Sequence, residues 1–529
     1  MRNVKILDCT LRDGGYINDF DFGQKNITQI IEKLSSASIE IIECGFLISK
    51  AVNKDCSLFQ SISALRAVVG KKNHDTMYVA MIQFGHITNE EIEPYDGTSI
   101  DGVRITFHQH EIDEAFVLAS QLMAKGYKVF IQPVGTATYS DKELLYLIFR
   151  VNSLLPFSFY IVDTLGTMYK NDMLRLFYLI DHNLNKKISI GFHSHNNLQL
   201  SFSNAQELLL LNTTREIIID SSVLGMGRGA GNLCTELITQ YINQNLGNKY
   251  DILSILEIVD EYINPIKAKF EWGYSVPYYL AAVNNCHPNY ASYLLNKQTL
   301  NVKEISAILK KIDTTIRKEF DKQYIEKLYI EFQNHNVNDN EAIKEITELC
   351  QGKDILIVAP GKSIEKDAFI LQEYIANYNP IIISVNFIPD FKIDALYVSN
   401  LKRFKALENL NDFSLTAKIF CTSNVCTTSA DNLYVVNYGN YLLEEAVISD
   451  NAGLMLMNLV AKIGASRITL AGFDGYSVNK DENFLGRNLI LNIEDEKLLK
   501  MNEAITSKIE EMQKKIKISF ITKSIYDQK

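Results

Sequence analysis

The reading of the chain turns on Ile6-Leu7-Asp8-Cys9-Thr10-Leu11-Arg12-Asp13-Gly14-Gly15. The apolar run from Val4 to Leu7 predicts a strand that starts almost at the first residue and delivers an acid, an arginine and a second acid into a glycine turn. Side chains alternate along a strand, so Asp8 and Thr10 share a face. Gly14 and Gly15 let the backbone turn tightly at that point. A carboxylate buried there needs a partner, and a cation is one candidate.

The complementary stretch lies far downstream, at Ile190-Gly191-Phe192-His193-Ser194-His195-Asn196-Asn197. Histidines at i and i+2 on a strand point the same way. Two imidazoles and an oxygen ligand form a donor set for one divalent ion, so Asp8, His193 and His195 are the expected metal ligands. Mn2+ or Mg2+ is the expected ion, with Co2+ or Zn2+ as alternatives. The plainer interpretation is two unrelated histidines and a salt-bridged aspartate.

Between and around these stretches, short β-branched runs alternate with helical patterns. Strands are expected at 4–7, 39–45, 77–83, 102–107, 128–134, 159–162, 189–192 and 217–223. Eight strands with intervening helices predict a (β/α)8 barrel, with a doubly wound open sheet as the alternative. Closure brings the first and seventh strands near enough to share an ion. Barrel chemistry sits at the carboxyl ends of the strands, where Asp8, Arg12, Glu43, Gln132, Asp163, Thr164, His193 and His195 cluster.

The 529 residues exceed one ordinary core, and the composition, 47% hydrophobic and 22% charged, is that of a globular protein. A net charge of -10 with no basic stripe argues against a nucleic-acid partner. No signal-peptide pattern or membrane-length apolar run is visible, and eight scattered cysteines without a C-x-x-C pair read as reduced thiols, so a cytoplasmic location is expected.

Asp8-x-Thr10-Leu11-Arg12-Asp13-Gly14, His193-x-His195-Asn196 and Gly227-Arg228-Gly229-Ala230-Gly231-Asn232 together resemble the DRE-TIM metallolyase superfamily over about residues 1 to 300. The glycine run is most similar to the 4-hydroxy-2-oxovalerate aldolase group. The resemblance implies Asp8, His193 and His195 as metal ligands and Arg12 as the stabiliser of an enolate oxygen. Asp13 and Tyr16 complete the catalytic set, and Glu43, Gln132, Thr164 and Asn197 contact substrate. Tyr16 stands where the aldolase group has its base histidine, and a phenol with an ordinary pKa near 10 is a poor base at neutral pH. His108 is a rival. The implied activity is a metal-dependent aldolase or carboligase on a 2-oxo acid such as pyruvate and an aldehyde, in a homo-oligomer. Alternatives are a Claisen-type acyltransferase using acetyl-CoA and a non-catalytic glycan-assembly protein.

The expected organisation is a barrel over 1–245, a helical extension across its mouth over 246–311, a charged helical linker over 312–350 and a Rossmann-like domain over 351–529. In the last, Asp354-Ile355-Leu356-Ile357-Val358-Ala359-Pro360-Gly361-Lys362-Ser363 reads as strand, turn and helix, whose amides favour an anion. With a strand ending at Asn386 and the loop Gly472-Phe473-Asp474-Gly475-Tyr476, this order resembles bacterial sialyltransferase-like domains. That implies a nucleotide-linked sugar of CMP type at Gly361, Ser363, Asn386 and Asp474, and a role in surface-glycan precursor synthesis. No histidine follows His335, so no catalytic histidine is assignable there.

Overall fold

The computed structural model describes residues 3–50, 53–297, 299–334, 337–408, 417–425, 432–445, 447–479, 482–485 and 495–527. The chain divides into two compact units, one of residues 1–291 with 317–319, the other of residues 292–316 with 320–529.

Eight parallel strands close the first unit: β1 (Val4–Asp8), β2 (Ile41–Leu47), β3 (Met77–Gln83), β4 (Gly102–Phe107), β5 (Lys128–Pro133), β6 (Ser158–Asp163), β7 (Ser189–Ser194) and β8 (Ile217–Ser221). Each pairs with its sequence neighbour, and β1 pairs with both β2 and β8, so the sheet has no open edge in this ring. The doubly wound alternative is excluded by that closure. Helices wrap the outside because their apolar residues recur at helical spacing. In Gln24–Ser36 the buried residues are Ile27, Ile30, Ile31 and Leu34.

Strand alternation sorts the side chains into two shells. Ile6, Ile42, Ile190, Phe192, Ile217 and Ile219 join the outer core under the helices. Their neighbours Leu7, Ile41, Val79, Phe130, Tyr160 and Ile218 fill the lumen. One step further along each strand the inward positions become polar: Glu43, Arg104, Gln132 and Asp220, all buried. Gly191 faces the Tyr160 ring so closely that a Cβ there would sit 2.3 Å from it. Glycine at this position is what lets β7 carry His193 to the mouth.

The second unit holds a seven-stranded, wholly parallel sheet: β9 (Asp354–Val358), β10 (Ile381–Val385), β11 (Ala395–Val398), β12 (Lys418–Thr422), β13 (Leu433–Val436), β14 (Arg467–Ala471) and β15 (Lys517–Phe520), in the order β13-β12-β11-β10-β9-β14-β15. Ile355 and Ile357 face one core, Leu356 and Val358 the other, so helices cover both faces. The segment expected as a solvated linker is partly core. Ala342, Ile346 and Cys350 of the helix Asn340–Cys350 are buried against this sheet, because the charges lie on one face only. No helix among the described residues is long and apolar enough to cross a membrane.

Candidate metal centre and active site

After β1 the backbone turns at once, with the amides of Arg12 and Asp13 both donating to the Cys9 carbonyl. The turn swings Arg12 and Asp13 over the barrel mouth. There Asp13, His193 and His195 bring three ligand atoms within 4.8 Å of one another. Asp13 Oδ2 lies 3.8 Å from His193 Nε2 and 3.9 Å from His195 Nδ1. The two imidazoles stand edge to face, 5.2 Å between centroids.

Asp8 is not part of this group. Its carboxylate accepts from the Thr10 amide at 2.9 Å and the Thr235 hydroxyl at 2.7 Å, on the outer side of the barrel wall. Leu7 and Cys9 hold the inward positions of β1, so alternation turns Asp8 toward the helix that starts at Thr235. Burial there raises its pKa to about 6. The acid that joins the histidines is Asp13, a residue expected in the catalytic set rather than among the ligands.

The donor set fits a divalent cation. His193 Nδ1 is 2.9 Å from Asp220, which leaves Nε2 facing Asp13. His195 Nδ1 is buried without a hydrogen-bond partner among the described residues. Burial lowers the His195 pKa to about 4, keeping the ring in the neutral form that ligates metal. Burial alone would raise Asp13, but Arg12 and the two histidines outweigh it and hold the carboxyl well below the usual range.

A ring of alternating charges supports the mouth from below. Arg12 Nη1 donates to Asp13 at 2.8 Å and Nε to Glu43 at 2.7 Å. Glu43 pairs with Arg104 at 2.7 Å, and Arg104 donates to Asp220, which returns to His193. Arg12 Nη2 is buried and unpaired among the described residues, a guanidinium donor left over for a guest. Glu43 and Gln132, expected against substrate, belong to this ring. Glu43 bridges two arginines, and the Gln132 amide oxygen accepts from Arg104 Nε at 2.8 Å. Asn197, also expected there, is a brace. Its amide donates to the Leu165 carbonyl and accepts from the Ala230 amide, both at 2.9 Å, tying two loops together.

Thr164 accepts from the Gly135 amide at 2.9 Å, which leaves its hydroxyl proton to donate. Tyr16 packs on Phe20 and Phe46, and the Arg228 guanidinium lies 4.0 Å from its ring centre. Desolvation by these neighbours raises its pKa above 10 despite Arg228 and Arg12. His108 stands apart, half exposed, stacked on His110 and 3.7 Å from Glu319. Tyr290 is a packing residue that donates to the Glu319 carbonyl.

The glycine loop completes the mouth. Asn232 Nδ2 donates to Asp13 Oδ2 at 2.6 Å, and the backbones of His195 and Asn232 form a bridge. This loop, the Arg-Asp turn and the histidine strand also match a known family model, described as HMGL-like, over residues 3–261. Residues 3–261 are an HMGL-like domain of the DRE-TIM metallolyase type. Over 271 residues the chain is 26% identical to a 4-hydroxy-2-oxovalerate aldolase of Geobacillus genomosp. 3, covering 50% of this chain and 77% of that one. It is 28% identical over 247 residues to an oxaloacetate decarboxylase of Mycobacterium tuberculosis, covering 45% and 69%. A crystallised N-terminal domain from Bacteroides vulgatus, described as that of a candidate aldolase, is 26% identical with a TM-score of 0.48, covering 55% of this chain and 96% of that one. The HMGL-like domain is thus part of a metal-dependent enzyme of aldolase, lyase or carboxyltransferase type. Arg104 and Asp220 were not singled out from sequence. A charged residue inside the apolar run of β4 and another near the end of β8 were the signals that could have found them.

The second unit carries a cavity of about 710 Å³ where β9 and β14 separate two directions of strand order. Open parallel sheets place ligands at such a switch point. Gly361, Asn386 and Asp474 line it; Ser363 does not. The amide and hydroxyl of Ser363 both donate to Asp474, so the helix start expected to hold an anion is already filled by a carboxylate of the chain. The Asp474 loop passes Gly361 so closely that a Cβ there would lie 2.3 Å from the Gly472 carbonyl. Asn386 accepts from the Ser399 amide at 3.2 Å.

Proposed function

We propose that the barrel is a divalent-metal-dependent aldolase or carboligase that handles a 2-oxo acid through its enolate. The observation that carries this is the buried group of Asp13, His193 and His195 beside the unpaired Nη2 of Arg12. A divalent ion held there supplies Lewis-acid polarisation of a 2-oxo acid carbonyl. Arg12 adds a fixed donor at the oxygen where negative charge develops, and its ion pairs to Glu43 and Asp13 hold it in place without rearrangement. The Thr164 hydroxyl donates to the carboxylate end of the substrate.

In the bond-forming direction the enolate carbon attacks the aldehyde carbon, and the carbonyl π pair becomes an alkoxide. Tyr16 keeps its proton at neutral pH, so it acts as a donor, and that proton neutralises the nascent alkoxide. Cleavage runs the same path backwards. The test is pyruvate release from 4-hydroxy-2-oxopentanoate by the full chain with Mn2+, compared with the chelator-treated protein. Thiol release from acetyl-CoA in the presence of a 2-oxo acid, without aldol turnover, replaces this reading with the Claisen-type one. No turnover and no metal uptake leaves a non-catalytic protein.

The cavity at the switch point supports a second part of this reading, that the second unit binds a nucleotide-linked sugar of CMP type for surface-glycan precursor synthesis. The volume suits a ligand of that size. The Asp474 carboxylate on the cavity wall steers the ligand's phosphate away from the turn after β9. Calorimetric titration with CMP and CMP-linked sugar tests it, and no heat from either refutes it.

A further inference from the structure

Arg228 differs from the described arginines that precede it in the barrel unit. From Arg12 to Arg215, each described arginine pairs with a carboxylate: Arg12 with Asp13 and Glu43, Arg66 with Asp96, Arg104 with Glu43 and Asp220, Arg150 with Asp113, Arg175 with Asp141 and Arg215 with Asp181. Arg228 makes no ion pair or hydrogen bond among the described residues. Its contact is the face of the Tyr16 ring, 4.0 Å from guanidinium carbon to ring centre.

The loop that carries it is held firmly. Asn232 anchors the loop to Asp13, the Ala230 amide to Asn197, and the Gly231 carbonyl to the Asn196 amide at 2.8 Å. A Cβ on the preceding Gly227 would stand 3.3 Å from Asp13 Oδ2, so the loop passes directly beside the metal acid. Arg228 is therefore half-buried at the rim of the site, fixed at its base by the loop and at its tip by the tyrosine.

A guanidinium held over a ring face by this attraction spends no N–H group on a hydrogen-bond acceptor and keeps those donors for another partner. Those donors match a carboxylate or phosphate in two-pronged geometry. Beside Arg12 and a bound divalent cation, a third positive charge is repelled unless an anion accompanies it. No carboxylate among the described residues supplies that anion, so the substrate is the remaining source.

We propose that Arg228, lying over the Tyr16 ring on the loop beside Asp13, is the receptor for a second anionic group on the substrate. The ligand class is then a 2-oxo acid, or its aldehyde partner, that carries a carboxylate or phosphate remote from the reacting carbonyl. Neutral short aldehydes are poor partners by comparison. Arg228 is a specificity-determining residue in this role, and the inference rests on the 2-oxo acid reading of the barrel.

The experiment uses the Mn2+-loaded full chain and ligands matched in length. Calorimetry compares 2-oxoglutarate with 2-oxopentanoate, which differ in a terminal carboxylate against a methyl. Pyruvate consumption compares succinic semialdehyde with butanal, and glyceraldehyde 3-phosphate with glyceraldehyde. The charged member of at least one pair is expected to win by about 10- to 100-fold, the range for hydrogen bonds to a charged group. Which pair shows it tells carboxylate from phosphate and 2-oxo acid from aldehyde. Arg228→Gln is expected to collapse that ratio to within about threefold, and Arg228→Lys, which keeps charge but loses the planar fork, to leave it intermediate. Equal treatment of both members of every pair by the wild type overturns the proposal, as does an undiminished ratio in Arg228→Gln. If no aldehyde is consumed but 2-oxoglutarate binding shows the Arg228-dependent preference, the aldolase reading fails and the anion receptor stands. Aldol turnover with no charge preference does the opposite: the aldolase reading stands and the anion receptor fails.

Discussion

Asp220 Oδ2 lies 2.9 Å from His193 Nδ1 and takes a hydrogen bond from Arg104 through the same oxygen. This contact sets which imidazole nitrogen faces Asp13. It also links the metal group to Glu43 and Arg12 through Arg104, closing a ring of charges whose members are buried. Arg104 and His193 together outweigh the effect of burial and lower the Asp220 pKa, so Asp220 remains an acceptor.

Asp220→Asn is expected to weaken Mn2+ binding by about 10- to 100-fold, because the amide no longer orients the His193 ring. Calorimetric titration of the metal-free variant measures this. The same change leaves Arg104 short of a counter-charge, and removing one partner of a buried pair costs on the order of 3–5 kcal/mol. A lower denaturation midpoint should accompany the weaker binding.

Exchanging the two acids of the opening stretch separates ligand from scaffold. Asp13→Asn and His193→Ala are each expected to abolish high-affinity Mn2+ binding and activity while circular dichroism stays that of the folded chain. Asp8→Asn should keep Mn2+ affinity within about threefold. It should lose on the order of 1 kcal/mol of stability through its hydrogen bonds to Thr10 and Thr235. Loss of metal in Asp8→Asn alone would reverse the assignment.

Arg12→Lys retains the charge but not the fork that reaches Glu43 and Asp13 together and that the proposed reaction uses at the substrate oxygen. Turnover is expected to fall by about 100- to 1000-fold, the usual cost of one oxyanion donor, with a smaller change in KM. Steady-state kinetics on the metal-saturated variant decides it.

Acidification should destabilise the metal-free barrel before it reaches carboxylate range. Burial holds His195 and His287 near pKa 4, below the ordinary histidine value of about 6.5. Between those values each of these histidines binds fewer protons folded than unfolded, so its contribution to stability is lost as pH falls. Asp8 and Asp163, raised by burial to about 6, act with the opposite sign below about pH 6, so the histidine loss dominates from about pH 7 to 6 and is offset below that. Asp13 and Asp220, both lowered in the folded state, extend the loss below about pH 4. Urea midpoints at about pH 7 and 6, where the histidines titrate ahead of Asp8 and Asp163, measure the slope, and His287→Gln should flatten it. Mn2+ affinity, set in the folded state, should lose nothing to His195 protonation above about pH 5.

The barrel was legible because its signals are local. Eight β-branched runs, spaced by helical patterns, announce parallel strands and their crossovers, and the i, i+2 spacing of His193 and His195 puts both rings on one face. The second sheet was legible only in part, since β12, β13 and β15 were not singled out from sequence. Residue types at the strand ends named the region of the candidate site, where Asp13, held by Arg12, meets the histidines. The same spacing argument went astray at Asp8, because alternation says which residues share a face and not which face turns inward.

By itself the sequence determined the barrel sheet and part of the second sheet, the end of the barrel where polar groups gather, and the pair of imidazoles aimed together, since strand period and chain polarity depend only on neighbours along the chain. Tertiary structure alone decided that Asp13 rather than Asp8 faces those imidazoles, that Glu43 and Asn197 serve as supports, and that Asp474 fills the helix start at Ser363. Each of those outcomes depends on barrel closure or on a loop arriving from another part of the chain, and local periodicity carries no record of which distant group arrives.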